Sequence, residues 1–215
     1  MRSLAALCLC LSAAPLGAHP HIFINAGLTT VIDAQNRLTH VQVTWEYDEL
    51  YSLLVTEDMQ IDSDYDGVLT ADDMARLTGF DMQWIEGFNG DLEGMLGGVP
   101  LVLSQPTEPT ASFVDGKIIT THRRAVQGAP LLDGPLLWRP YDITYYTAYD
   151  VTLPVSVQGR EDCDIGVEVP DIAGGLALLQ AEVAALPEDY DMEALGFGDI
   201  GTKFATDIII TCAAR

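Results

Sequence analysis

Between residues 22 and 48 apolar and polar positions alternate with a period of two. "IFINAGLTTVID" and "LTHVQVTWEY" read as half-buried strands, because successive side chains of an extended chain point to opposite faces. "AQNR" separates them, and a tight turn from Asp33 to Asn36 makes them a hairpin. With Asp33 paired to Asn36, Ile22, Ile24, Ala26 and Leu28 share a face with Val41, Val43, Trp45 and Tyr47. His21, Asn25, Thr29, Gln42, Thr44, Glu46 and Asp48 fall on the other face. A slip of one residue would reverse every position, so this apolar segregation supports the register.

The period then changes. "DELYSLLVTEDMQ" reads as a helix and "ADDMARLTG" as a shorter one ending at Gly79, a helical insertion over residues 48–80. From Met82 to Cys163 the chain is rich in Val, Ile, Thr and Tyr, with frequent Gly and Pro. This predicts antiparallel strands and loops, with "VDGK" as a hairpin turn. "PDIAGGLALLQAEVAALPED" predicts a later helix capped by Asp171 and stopped by Pro187. Ile172, Leu176, Leu179, Val183 and Leu186 form its apolar stripe. "FATDIIITC" predicts a closing strand. No internal repeat or low-complexity linker interrupts the pattern. The expected fold is α+β: one β-rich domain over residues 19–215, mainly antiparallel, with an EF-hand-like helical insertion and one later helix.

Residues 1–18 look different. Arg2 precedes an apolar run, Leu4 to Leu16, that is too short to span a bilayer, and Ala18 suits cleavage. This predicts a signal peptide and an exported, periplasmic protein that is not membrane-embedded. Loss of residues 1–18 removes Arg2 alone among charged residues. It leaves 9 Lys+Arg against 32 Asp+Glu, a net charge of −23. Such a surface repels nucleic acid and anionic lipid and attracts cations, although a solvated acidic surface is its ordinary meaning. Of the four cysteines, Cys163 and Cys212 lie beyond the leader. In an oxidising compartment they predict a disulfide closing a loop of about 50 residues, a stabilisation of roughly 4 kcal/mol. A soft metal-ligand pair is the rival, without C-x-x-C spacing to support it.

"DSDYDGVLTADD" carries the sharpest motif. Asp62, Asp64 and Asp66 occupy positions 1, 3 and 5 of an EF-hand loop, with Gly67 at the sharp turn. Val68 would lend its carbonyl, Leu69 is the apolar anchor, and Thr70 can act through water. Carboxylates on alternate residues converge on one hard cation only if the backbone wraps around it. The last position holds Asp73 rather than Glu, one methylene shorter, so weak Ca²⁺ binding of roughly millimolar class, or Mg²⁺ binding, is expected. Two other readings need no ion: an Asx-rich turn, and a capping box from Thr70 to Asp73 that can also coexist with calcium.

Two of the four histidines flank a proline at the predicted cleavage site. Pro20 favours an extended chain, which projects His19 and His21 to one side as a two-point ligand for Zn²⁺, Ni²⁺ or Co²⁺. Pro20 has no N–H to lose, so square-planar binding through intervening amides is blocked and tetrahedral N/O coordination, the habit of zinc, is favoured. In the hairpin register Asp48 falls opposite His21 and is the candidate carboxylate ligand. His122, in "TTHRR", is the candidate third imidazole, despite the neighbouring Arg123 and Arg124. His40, opposite Thr29, is too far along the strand. The alternative is a frayed terminus with two solvated histidines.

"AHPHIFINA", "VTWEYDELYS", "DSDYDGVLTADD", "YDITYYTAYDV" and "FATDIIITC", in that order, resemble a bacterial domain-of-unknown-function family. Its members are described as the periplasmic component of an uncharacterised ABC-type transport system. They often occur beside a nickel/cobalt-type membrane transporter, and some are linked to zinc uptake. The resemblance implies a metal-trafficking role with an inner-membrane metal transporter as partner, His19 and His21 matching the family's histidines. It adds no catalytic residue. The alternating βα pattern of two-lobed solute-binding proteins is missing.

Three functions therefore stand. A metal-binding accessory protein would collect a divalent ion at His19 and His21. A secreted interaction module would use calcium as a brace. A metal-dependent hydrolase would need an open metal position in a cleft; neither G-x-S-x-G nor H-E-x-x-H occurs, and no catalytic residue is assigned.

Overall fold

The computed structural model describes residues 20–185 and 199–214. The predicted leader, His19, Leu186 and Pro187 lie outside these residues. In chain order the elements are β1 (Ile22–Ile32), β2 (Leu38–Tyr47), α1 (Glu49–Met59), α2 (Ala71–Leu77), β3 (Leu92–Leu96), β4 (Val99–Pro100), β5 (Thr107–Val114) and β6 (Lys117–Ala125). Then follow β7 (Leu136–Pro140), β8 (Thr147–Asp150), β9 (Val155–Gln158), β10 (Cys163–Glu168), α3 (Ile172–Ala184), a 3-10 turn at Gly201–Phe204, and β11 (Asp207–Cys212). The fold is α+β, as the hydrophobic pattern predicts.

One sheet runs β5-β6-β2-β1, and β8 and β9 pair in succession, both parallel, along the free edge of β1. The other runs β10-β11-β7-β3-β4 and is antiparallel throughout. Gly27 lets the chain pass from β8 to β9: a Cβ there would come within 2.8 Å of Leu153 Cβ and 3.0 Å of the Pro154 carbonyl oxygen. The inward faces make one core. Ala26, Leu28, Val41, Val43 and Ile118 of the first sheet share it with Leu136, Trp138, Ile208 and Ile210 of the second. The indole N–H of Trp138 donates to Thr30 Oγ1 at 2.9 Å, which satisfies two polar groups sealed between the sheets.

The β1–β2 register departs from the predicted one by two residues. Ile24 faces Tyr47, Ala26 faces Trp45 and Leu28 faces Val43. The loop closes on Arg37 rather than Asn36: the Asp33 N–H donates to the Arg37 carbonyl, and Asn36 is left-handed at φ 61°. A bulge at Val31/Ile32 completes the shift. A type I turn followed by a left-handed residue adds a residue to the loop. An even shift keeps every side chain on its face, so the apolar pattern alone could not detect it. It does move partners: Asp48 aligns with Phe23 instead of His21, and His40 faces Val31 instead of Thr29.

Asp48 caps α1, its Oδ1 accepting from the Tyr51 N–H at 2.9 Å. The helix docks on β6 through buried Ser52, whose hydroxyl oxygen accepts from the Ile118 N–H at 3.0 Å. Asp171 caps α3 as expected, through the Gly174 N–H at 3.0 Å. Ile172, Leu176 and Leu179 of the apolar stripe of α3, however, are not part of the core. Ile172 and Leu176 stay 39% and 42% exposed, and the helix rests on the 3-10 turn, Gly175 lying against Phe204. Cys163 and Cys212 face one another across β10 and β11 and are joined by a disulfide.

Candidate functional site

The acidic loop links α1 to α2. One carboxylate oxygen from each of Asp62, Asp64 and Asp66 lies within 4.8 Å of the other two, the only such group of three His, Cys, Asp or Glu ligand atoms among the described residues. The backbone wraps as the spacing requires. Asp62, Tyr65 and Gly67 are left-handed, and the Gly67 N–H donates to Asp62 Oδ1 at 3.2 Å. Val68 donates its N–H to Asp66 Oδ1 at 2.7 Å, and Leu69 packs on the core. Asp73 is not in the group. Its Oδ2 accepts from the Thr70 N–H and the Thr70 hydroxyl, while Asp73 N–H donates back to Thr70 Oγ1, the full capping box of α2. Those bonds hold the Asp73 carboxyl below its usual pKa.

His21 lies exposed before β1, its ring 4.8 Å from that of Tyr146. Asp48 turns both oxygens onto backbone, Oδ2 accepting from the Phe23 N–H and Oδ1 from that of Tyr51. His122 sits on the inner face of β6, only 1% exposed, with the edges of Trp45 and Trp84 against it at 4.9 and 5.5 Å. It pairs with Val43, and Val43 with Leu28, so about 23 Å of strand separates it from His21 in that direction alone. With metal–nitrogen bonds of about 2 Å, one ion cannot join them. His122 therefore does not complete the predicted transition-metal shell. Burial, then Arg124 nearby, lowers its pKa to about 3, and neither ring nitrogen has a hydrogen-bond partner among the described residues.

A second constellation forms where residues 80–91 cross the end of the first sheet. A cleft of about 230 Å³ is walled by Trp45, Tyr47, Phe80, Trp84, Phe88 and Tyr149, and Asp81 and Asp91 line it too. Asp81 Oδ2 accepts from the hydroxyls of Tyr47 at 2.9 Å and Thr120 at 2.8 Å. Asp91 Oδ2 accepts from the Tyr149 hydroxyl at 2.8 Å. Burial raises both carboxyl pKa values against these bonds, Asp91 to about 7. The crossing segment is pinned by Arg124, whose guanidinium lies 5.0 Å from the Trp84 ring centre and donates to the Asn89 carbonyl at 2.6 Å. Gly90, left-handed at φ 70°, lets Trp84 lie against the backbone; a methyl there would collide with the indole.

The family described as Protein of unknown function (DUF1007) matches residues 4–212. The chain belongs to this family. A search of curated proteins found no match. Functional chemistry in this DUF1007 chain must therefore be read from its side chains. The sequence pattern located the acidic loop and missed the cleft, because Asp81 and Asp91 were two acids among 32. One signal was present: Tyr47 falls on the apolar face of its strand, and an inward phenol needs a partner for its hydroxyl.

Proposed function

We propose that this DUF1007 chain is an exported, divalent-cation-binding accessory protein that hands a transition metal, Zn²⁺ or Ni²⁺/Co²⁺, to an inner-membrane metal transporter. The observation that carries the cation chemistry is the convergence of Asp62, Asp64 and Asp66 around the Gly67 turn. Three carboxylates held this close repel one another, and a hard cation relieves that repulsion. The transition metal would bind at His19 and His21, the two imidazoles that flank Pro20. Calorimetry on the exported form tests both parts. Ca²⁺ should bind at roughly millimolar strength, and Asp62→Asn/Asp64→Asn should abolish that binding. Zn²⁺ should bind independently and be lost in His19→Ala/His21→Ala. Zn²⁺ binding unaffected by the histidine substitutions would end the metal-delivery reading.

A second reading, a calcium-braced interaction module, has one observation in its favour. Ile61 and Leu69, on either side of the acidic residues, both pack on the hydrophobic core. An ion there would tie α1 and α2 to the domain. Chelation that lowers thermal stability while leaving Zn²⁺ binding intact would favour it.

A further inference from the structure

We infer that the cleft between the first sheet and residues 80–91 binds a small organic ammonium ion, with Asp81 and Asp91 as counter-charges and the aromatic walls as its cage. This site is separate from the acidic loop and does not depend on the function proposed for it.

Charge balance is the starting point. Asp81 and Asp91 line one cleft, are largely withdrawn from water, and their side-chain donors among the described residues are neutral hydroxyls. Neither forms an ion pair among the described residues. A desolvated carboxylate without a cation is costly, and hydroxyl donors offset only part of that cost. Asp81 Oδ1 and the indole nitrogen of Trp45 lack hydrogen-bond partners among the described residues, and both are sealed from solvent, so Asp81 acts on a ligand in the cleft through its charge rather than by contact of that oxygen. Burial raises the pKa of both carboxyls, a cost that a bound cation would offset.

The walls choose among cations. Among the described residues no Lys, Arg or His lines the cleft, which disfavours an anion. No three metal-ligating donors converge there among the described residues, which disfavours a metal ion. Aromatic faces attract an ammonium group through the ring quadrupole and also pack on its alkyl substituents. The cleft volume of about 230 Å³ suits a ligand of a few carbon atoms.

Trp45 and Trp84 both line the cleft and supply a fluorescence signal. The purified exported chain is titrated with tetramethylammonium and butylammonium, and with tert-butanol and butanol as neutral counterparts, in the presence of EDTA. Saturable fluorescence change with the ammonium ions and at least about tenfold weaker response to the alcohols is expected. Asp81→Asn and Asp91→Asn, checked for fold by near-ultraviolet circular dichroism, should each weaken ammonium binding by about tenfold or more. If either variant fails to fold, the comparison of ammonium with alcohol on the unmodified chain decides alone. No saturable ammonium binding, equal binding of the alcohols, or folded Asn variants that bind like the parent would each overturn the assignment.

Discussion

His122→Leu should make the domain resistant to acid. The imidazole is 1% exposed, packs edge-to-face with two indoles, and has no hydrogen-bond partner for either nitrogen among the described residues. Its folded pKa is about 3, against 6.5 for a free imidazole. Below pH 6.5 the unfolded chain therefore binds a proton that the folded chain refuses. Stability falls with pH at about 1.4 kcal/mol per unit until the folded pKa is reached. By pH 4.5 that loss is roughly 3 kcal/mol, a large share of a typical domain's stability. Leucine cannot titrate. At pH 7.5 the substitution should change stability by only about 1–2 kcal/mol, since lost ring contacts are offset by removal of two unsatisfied nitrogens. The assay is urea unfolding of both proteins at pH 7.5, 6, 5 and 4.5 with the disulfide intact. Carboxylate titrations common to the two proteins cancel in the difference. A stability difference that stays constant across the series would falsify the claim that His122 is held neutral.

Three further outcomes follow from the same coordinates. Asp91 has the opposite sign: its folded pKa of about 7 lies above the ordinary 3.8, so the folded state holds the extra proton and stability falls as pH rises from 4 to 7. Asp91→Asn should remove that slope and gain up to roughly 4 kcal/mol over the parent above pH 7; parallel pH profiles would refute it. Replacing Cys163 and Cys212 by Ser opens a loop whose ends are 49 residues apart and should lower the unfolding free energy by about 4 kcal/mol, read from the urea midpoint. Thr70→Ala deletes the capping box of α2 and should cost about 1 kcal/mol, seen as a lower melting temperature; an unchanged melt would show that the box contributes nothing.

Some of the site was legible before any coordinates. The period-two pattern put Ala26, Leu28, Val43 and Trp45 inward correctly, although the register was two residues out, because face depends on parity and parity survived the left-handed Asn36. The Asp62–Asp64–Asp66 spacing predicted convergence because a loop of that length folds locally, with Gly67 at its sharp turn. Asp73 forms the equally local capping box that the same spacing offered, and it lies outside the converging trio.

Local chemistry, then, was set by the chain itself: the strands, the helix caps, the acidic turn and the pairing of the two late cysteines all depend on residues close together or on a single plausible partner. Tertiary structure alone decided which distant groups meet. It carried His122 some 23 Å of strand away from His21, the length of seven extended residues. It also laid residues 80–91 over the sheet end, so that Asp81 meets Tyr47 and Thr120, and Asp91 meets Tyr149. Spacing along a chain encodes distances only within an element; between elements, distance is set by sheet order and packing, which no local pattern records.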